Sequence, residues 1–295
     1  MLKNAFVFST IIYSITAIFI YFFFQYETHI LLGHIEYING TMQYSSPSFL
    51  IMGIERMFGL VGGPNQFGML TAIYILLLLF IIDNGAKNLF VKTALLLSII
   101  CCILTFSRAG WGIILITICC VNILKGKISK ILGVLFLLSL ILGIIFIILQ
   151  LMAPDFANII LSSVTGEEAS VSARGDIVKD GFTLILQNLL GHGLGTGVEE
   201  SGAPVAESSV IICLYEMGIV GTLLLYYLLI NISIKIFKSN VTYSKILLSF
   251  TFATIIASVI SMNPFQFPYI YFCWGILGLA SNRSTQYLSN KYAYK

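Results

Sequence analysis

Charged residues are scarce in this sequence. Only 10% of the 295 residues are Asp, Glu, Lys or Arg, whereas 58% are hydrophobic and the mean hydropathy is +0.96. A soluble domain carries about 25% charged residues, so the composition excludes an ordinary water-soluble fold. The net charge of +3 provides no extended basic surface for nucleic acid. Most of the chain must be solvated by lipid, which predicts an integral membrane protein.

Metal ligands are also few and scattered. The three histidines form no HExxH motif, and the six cysteines lie inside apolar runs without CxxC spacing. A free cysteine in such a run behaves as a small hydrophobic residue. The sequence therefore predicts no disulfide framework, no metal site and no cofactor.

Long apolar stretches predict an all-α, polytopic membrane protein. A hydrocarbon core about 30 Å thick requires roughly 17 to 25 apolar residues per helix. About eight stretches qualify or nearly qualify: 5–24, 67–82, 90–106, 109–124, 131–152, 208–232, 246–262 and 268–281. We find no linker that divides the chain, so we expect one multi-pass domain over residues 1–295.

The distribution of basic residues predicts the orientation. If the N-terminus is cytoplasmic, twelve Lys and Arg residues lie in inner loops and tails and four in outer loops, as the positive-inside rule favours. Both termini are then inside, and the two long loops, 25–66 and 153–207, are outside. The second loop includes 170–190, whose pattern predicts an amphipathic surface helix with Ile177, Phe182, Ile185 and Leu189 on its apolar side.

Lysine and arginine separate across the membrane in this arrangement. Eleven of the twelve lysines are predicted inside, whereas three of the four arginines, Arg56, Arg108 and Arg174, are predicted outside. The planar guanidinium binds phosphate and carboxylate in a bidentate manner, which an ammonium cannot do. The outer arginines are therefore candidate ligands for an anionic substrate.

Two of these arginines lie beside helix starts. Arg56 precedes "GGPNQ", where Asn65 is predicted to cap a helix that begins at Gln66. Ser107 and Arg108 form a minimal turn between two apolar stretches, and Gly110 permits close backbone approach. The alternatives are a snorkelling Arg56 and a lipid-anchoring Arg108.

The second outer loop and the stretch after it carry the remaining polar candidates. Arg174 precedes "GHGLGTG", which contains His192 and fits no nucleotide-binding fingerprint. Glu207 is predicted at the outer surface, and Glu216 lies nine residues further, inside the apolar stretch, where a carboxylate must be protonated or paired. A solvated Arg174–Asp176 pair and a structural Glu216 remain alternatives.

Taken in order, these segments resemble the O-antigen polymerase and ligase superfamily. The resemblance rests on "RMFGLVGGPNQFG", "SRAG", "RGDIVKDGFTLILQNLLGHGLGTG" and "ESSVIICLYEMGIVG", and it runs from about residue 55 to 225. Eight membrane helices are fewer than is typical of the superfamily, which is expected of a shorter variant or of a chain that lacks its N-terminal part. The ligase branch usually begins the last motif with "HN", where this chain has Glu207 and Ser208, and this difference favours a polymerase.

The resemblance implies a metal-independent bacterial glycosyltransferase of the plasma (inner) membrane with its active site on the outer face. It would polymerise polyprenyl-pyrophosphate-linked glycan repeats into O-antigen, capsule or exopolysaccharide, among membrane lipids and beside a flippase and a chain-length regulator. The expected catalytic residues are Arg174, Arg108, Arg56 and Glu207. His192, Ser107, Asn65 and Glu216 are expected to bind substrate.

Two other functions compete with polymerisation. A ligase of the same superfamily would transfer finished glycan to a lipid or protein acceptor. A lipid or solute transporter would place ionisable residues or broken helices near the midplane, often in paired halves, and no such pairing is visible in the sequence.

Overall fold

The computed structural model of the chain describes its structure over most of the apolar stretches and parts of the loops. The described residues are 2–33, 35–38, 41–44, 50–51, 54–83, 85, 88–126, 133, 183–196, 208–238, 244–260, 274–275 and 277–278.

The described part of the chain is mainly α-helical. Its helices are α1 (Leu2–Phe23), α2 (Gln25–Leu31), α3 (Pro64–Asp83), α4 (Leu89–Leu104), α5 (Arg108–Leu124), α6 (Ser209–Lys238) and α7 (Ser244–Ile260). This confirms helices in six predicted stretches, while 131–152 and 268–281 lie almost entirely outside the described residues. Of the described helices, α1, α3 and α6 are long and apolar enough to cross a membrane, and α4, α5 and α7 are shorter apolar helices. The total number of crossings and their orientation remain predictions.

Two short β-hairpins occupy the loop between α2 and α3. Strand β1 (Ile35–Ile38) pairs antiparallel with β2 (Thr41–Tyr44), and β3 (Leu50–Ile51) pairs antiparallel with β4 (Ile54–Glu55). These strands were not predicted from the sequence. A signal was present, because β1 and β2 flank Asn39-Gly40, the dipeptide that most favours a two-residue hairpin.

The chain divides into two compact units, one of residues 1–117 with 232–295 and one of residues 118–231. In the first unit, α4 packs against both α1 and α3. Ala17, Phe67, Leu70 and Cys101 are buried together, with the Tyr13 ring edge-on to Phe67. Helix α3 is apolar on all sides, which is typical of a helix surrounded by other helices.

In the second unit, the described residues include a helical stretch at 183–187 and most of α6. Ile185 is buried against Ile211, as its place on the predicted apolar side requires. The predicted surface helix ends earlier than expected, because the helical stretch stops at residue 187 and Leu189 lies in the turn after it. Asn188 terminates it, since its side chain binds Gly191 O and Leu190 N–H. Residues 170–182 lie outside the described part.

Candidate functional site

A tight turn joins α4 to α5 and presents Arg108. Phe106 has φ +48°, a left-handed conformation that is uncommon for a bulky residue and marks local backbone strain. The Ser107 hydroxyl accepts the Gly110 N–H at 3.3 Å and so caps α5. Thr105 Oγ1 donates to Cys102 O at 2.7 Å and accepts the Ser107 N–H at 3.2 Å. These bonds fix the turn, and Arg108 follows it as the exposed first residue of α5.

Two glycines allow α3 and the start of α5 to touch. A Cβ added at Gly110 would lie 2.6 Å from the Gly68 carbonyl oxygen. A Cβ added at Gly68 would lie 2.7 Å from Ser107 Oγ and 2.9 Å from Thr105 Oγ1. Small residues permit such close backbone contact between helices in a membrane. The predicted close approach at Gly110 is thereby confirmed.

Arg56 lies beneath this turn, in the segment between β4 and α3. Its Nε donates to Thr105 O at 2.8 Å, and one terminal nitrogen donates to Asn65 Oδ1 at 2.7 Å and to Phe106 O at 3.4 Å. The side chain is only 6% exposed. Arg56 therefore connects the end of α4 to the start of α3.

The backbone around Arg56 is itself held in place. Gln25 of α2 donates to Arg56 O at 3.2 Å, and Met57 N–H donates to Leu104 O at 2.9 Å. On the preceding residue, Tyr21 of α1 donates its hydroxyl to Glu55 O at 3.0 Å. Residues of α1, α2, α3 and the end of α4 thus bind Arg56 or the backbone next to it.

The two arginines interact electrostatically. Burial, and secondarily the positive charge of Arg108, lower the pKa of Arg56 to about 10. At neutral pH the Arg56 guanidinium therefore keeps its charge while repelling the exposed Arg108. An anion bound at this position would relieve that repulsion.

One prediction about this region is wrong, and one alternative is excluded. Helix α3 begins at Pro64 rather than Gln66, so Asn65 is its second residue and does not cap it. Proline is favoured at the first helical position because its missing N–H would have no partner there. The Asn65 side chain binds Arg56 instead, and the buried Arg56 does not snorkel towards solvent.

The second unit contains an interruption in α6 at Gly218, where φ is +69° and ψ is −176°. The sequence analysis expected an unbroken helix here. In a regular helix, Ile219 N–H would donate to Tyr215 O. Instead it donates to Leu189 O at 3.0 Å, while Tyr215 O accepts His192 N–H at 2.8 Å. The loop thus satisfies backbone groups that the interruption exposes.

The hydrogen bond from His192 N–H to Tyr215 O also helps to orient the His192 side chain. The imidazole stacks on the Tyr215 ring with centroids 4.2 Å apart, and Nδ1 lies 3.3 Å from Tyr215 O. A carbonyl can only accept, so this contact is a hydrogen bond in the tautomer that protonates Nδ1. The other nitrogen, Nε2, then carries a lone pair. His192 itself is exposed.

The structure thus brings Arg56, Asn65, Ser107 and Arg108 together in the first unit. In the second unit, Glu216 contributes a backbone carbonyl that accepts Gly193 N–H at 3.0 Å. Arg174 and Glu207 lie outside the described residues.

Sequence reasoning missed Gln25, Thr105 and Tyr215, because each acts through a long-range contact that has no sequence motif. Within the described part of the chain, no group of three His, Cys, Asp or Glu residues is arranged to hold a metal ion.

Long apolar helices, small-residue helix contacts and a turn that carries a cation define the class as an integral membrane protein. Residues 93–226 match the family model described as O-antigen ligase, which confirms the resemblance to the O-antigen polymerase and ligase superfamily. The match includes most of α4, the Arg108 turn and the interruption at Gly218, and Arg56 precedes it. No curated protein and no solved structure matches the chain.

Proposed function

We propose that this protein polymerises polyprenyl-diphosphate-linked oligosaccharide repeats at the outer face of the bacterial plasma membrane. The observation that carries the proposal is the pair of arginines at the start of α5, one buried and held by carbonyls, the other exposed beside it. A paired cationic site suits a diphosphate. Members of the matched superfamily act on such lipid-linked glycans.

The leaving group explains why arginine suits this reaction. A hydroxyl of the acceptor sugar attacks the anomeric carbon of the donor, and the bond from that carbon to the diphosphate oxygen breaks with its electron pair. Negative charge then grows on the diphosphate, and cations already held in position lower the barrier. Arg108 is the exposed group that meets this charge, and the first N–H groups of α5 add a favourable dipole. Arg174 is proposed as a further cation.

The acceptor hydroxyl must lose its proton. Glu207 is the base expected from the sequence, with Glu216 and His192 as other candidates, and these roles remain predictions. In the tautomer that protonates Nδ1, the Nε2 atom of His192 carries the lone pair that a base requires.

Deletion of the gene tests the function. We expect the surface polysaccharide of the deletion strain to collapse on a gel from a ladder to a single repeat unit. The wild-type gene should restore the ladder, whereas Arg108→Ala and Arg174→Ala should not, at equal protein levels in the membrane. A ladder of normal length in the deletion strain would refute polymerisation.

A ligase is the second candidate, because the matched family model is described as O-antigen ligase. Loss of a ligase leaves polymer of normal length that is not attached to its final acceptor. Extraction of the deletion strain for free, lipid-linked polymer separates the two activities. Accumulation of long unattached chains would identify the ligase.

A further inference from the structure

The bonding of Arg56 differs from that of a residue that binds substrate. Its guanidinium already donates to Thr105 O, Phe106 O and Asn65 Oδ1. Thr105 and Phe106 follow the last residue of α4, where carbonyl groups lack helical partners and the helix dipole is negative. The guanidinium therefore serves as a C-terminal cap for α4, supplied by a distant segment.

The same contacts determine where Arg108 points. Only Ser107 separates Arg108 from Phe106, whose left-handed backbone is strained. Arg56 donates to Thr105 O and Phe106 O, the carbonyls of the residue before the strained backbone and of Phe106 itself. Gly68 of α3 packs against Ser107. Displacement of the turn would therefore reorient the first residue of α5.

From these contacts we infer that Arg56 is a positioning residue, which aims Arg108 at the diphosphate and does not itself touch the substrate. Asn65 has the same positioning role, because its side-chain oxygen accepts a hydrogen bond from the Arg56 guanidinium and holds it against α3. This inference rests on the proposed function, in which Arg108 meets the leaving group. It gives Arg56 a different role from the direct contact that the sequence analysis expected.

Lysine cannot replace arginine in this device. An ammonium on a flexible stem keeps the charge but lacks the planar fork that reaches both carbonyls and Asn65 together. A misplacement of about 1 Å can cost roughly 10²-fold in rate. We expect Arg56→Lys and Asn65→Ala each to lower kcat by tens of fold or more. The KM for the donor should change less than about threefold, because ground-state binding tolerates displacement better than transition-state stabilisation does.

The experiment measures polymer formation in membranes supplied with lipid-linked repeats extracted from the deletion strain. Wild type, Arg56→Lys, Asn65→Ala and Arg108→Lys are compared, together with double variants that combine Arg108→Lys with each of the other two. Asn122→Ala is the matched control, since that amide donates to Ile118 O of its own helix, and it should retain full activity.

The double variants decide between positioning and contact. If Arg56 acts through Arg108, neither Arg56→Lys nor Asn65→Ala lowers the residual rate of Arg108→Lys by more than about twofold. If Arg56 touches the substrate, Arg56→Lys lowers that residual rate by its full single-variant factor, and the inference is overturned. Full activity of Asn65→Ala also overturns it.

A binding measurement keeps this test separate from the proposed function. The Kd of the purified protein for inorganic diphosphate should rise in Arg108→Ala, and adding Arg56→Lys should raise it no further. An additional rise would overturn the positioning role whether or not the wild-type chain makes polymer. Failure of wild-type membranes to make polymer would count against the proposed function alone.

Discussion

Burial gives two arginines in the same unit different tasks. Arg56 is buried and donates to two backbone carbonyls and an amide oxygen, whereas Arg108 is exposed at the first position of a helix. Burying a cation is costly unless it is hydrogen-bonded, and the carbonyls at the end of α4 offset that cost. The charge of Arg56 is nonetheless retained beside a second cation. An anion bound at the exposed Arg108 would offset the repulsion between the two charges.

Arg108→Ala should abolish polymer formation and leave the amount of protein in the membrane unchanged, because an exposed side chain contributes little to folding. Arg108→Lys should lose most of the activity as well, since a point charge replaces the bidentate fork. The measurement is the surface polysaccharide ladder of a complemented deletion strain.

Lys125→Ala is the matched control for Arg108→Ala, since it removes one exposed positive charge just beyond the opposite end of α5. It should retain the full ladder. Normal polymer in Arg108→Ala would remove the central cation of the proposed site.

At the scale of elements, glycines determine how closely segments approach. Gly68 and Gly110 bring α3 against the start of α5, and Gly218 with Gly191 brings the loop at 188–193 against the interruption in α6. The contacts at Gly110, Gly191 and Gly218 are with backbone atoms, which cannot turn away as a flexible side chain can. The contact at Gly68 is with the Ser107 and Thr105 side chains, whose hydroxyls are held in hydrogen bonds of the turn. The site therefore depends on residues that themselves carry no functional group.

Gly68→Ala and Gly110→Ala should each lower the stability of the protein in detergent by about 1 to 3 kcal/mol, the usual cost of overpacking. A thermal unfolding scan of the purified variants measures the effect. Gly112→Ala is the control on the same helix, where an added Cβ meets nothing within 4 Å. It should leave Tm unchanged or raise it slightly, because alanine favours a helix by up to about 1 kcal/mol over glycine. Equal effects at all three positions would contradict the close helix contact.

Gly218→Ala should disrupt the exchange of hydrogen bonds at the interruption in α6. The backbone there has φ +69°, and an added Cβ would lie 2.5 Å from Leu189 O. We expect faster amide hydrogen exchange at His192, Gly193 and Ile219, whose N–H groups donate across this contact. Val220→Ala, at an exposed position of the same helix, should leave these rates unchanged. Unaltered protection of these amides in Gly218→Ala would show that the hydrogen bonds between the loop and α6 do not hold the loop in place.

For the whole molecule, charge placement predicts orientation. Lysines concentrate on the predicted inner side. Insertion favours the orientation in which short loops rich in Lys and Arg stay in the cytosol. The α5 helix offers the most direct test, because Arg108 begins it and Lys125 follows its end.

We expect Arg108→Cys to react with an impermeant maleimide in intact cells and Lys125→Cys to react only after the membrane is opened. The wild-type chain is the background control, since its cysteines occur in apolar runs. The reverse pattern would invert the topology, and labelling of both positions from one side would show that α5 does not cross.

Much of the described fold was predictable from the sequence. Long apolar runs are visible without knowledge of packing partners, so the sequence predicted the helices α1, α3, α4, α5, α6 and α7. Their bounds were close, except that α6 continues past the predicted end at residue 232 to Lys238. The hairpins were missed because strands of two to four residues give too little pattern. The interruption at Gly218 was missed because one glycine in an apolar run is compatible with a continuous helix, and only the loop that packs on it makes the break favourable.

The sequence predicted which residue types form the candidate site but not which residues contact each other there. Arg108, Ser107 and Gly110 are neighbours in the chain, so their turn could be inferred locally. Gln25, Asn65 and Thr105 meet Arg56 across separations of 9 to 49 residues, and no local pattern records such contacts.

The sequence by itself determined that this chain lies in lipid and that its described core is built from apolar helices, and it predicted that arginine is segregated from lysine across the membrane. These properties follow from the transfer of each side chain between water and hydrocarbon, which depends on the residue and not on its neighbours. Tertiary structure alone decided which arginine is buried, which remains exposed and which carbonyls hold the buried one. Hydrogen bonds and backbone contacts are directional and act over a few ångströms, so they exist only once distant segments have packed together.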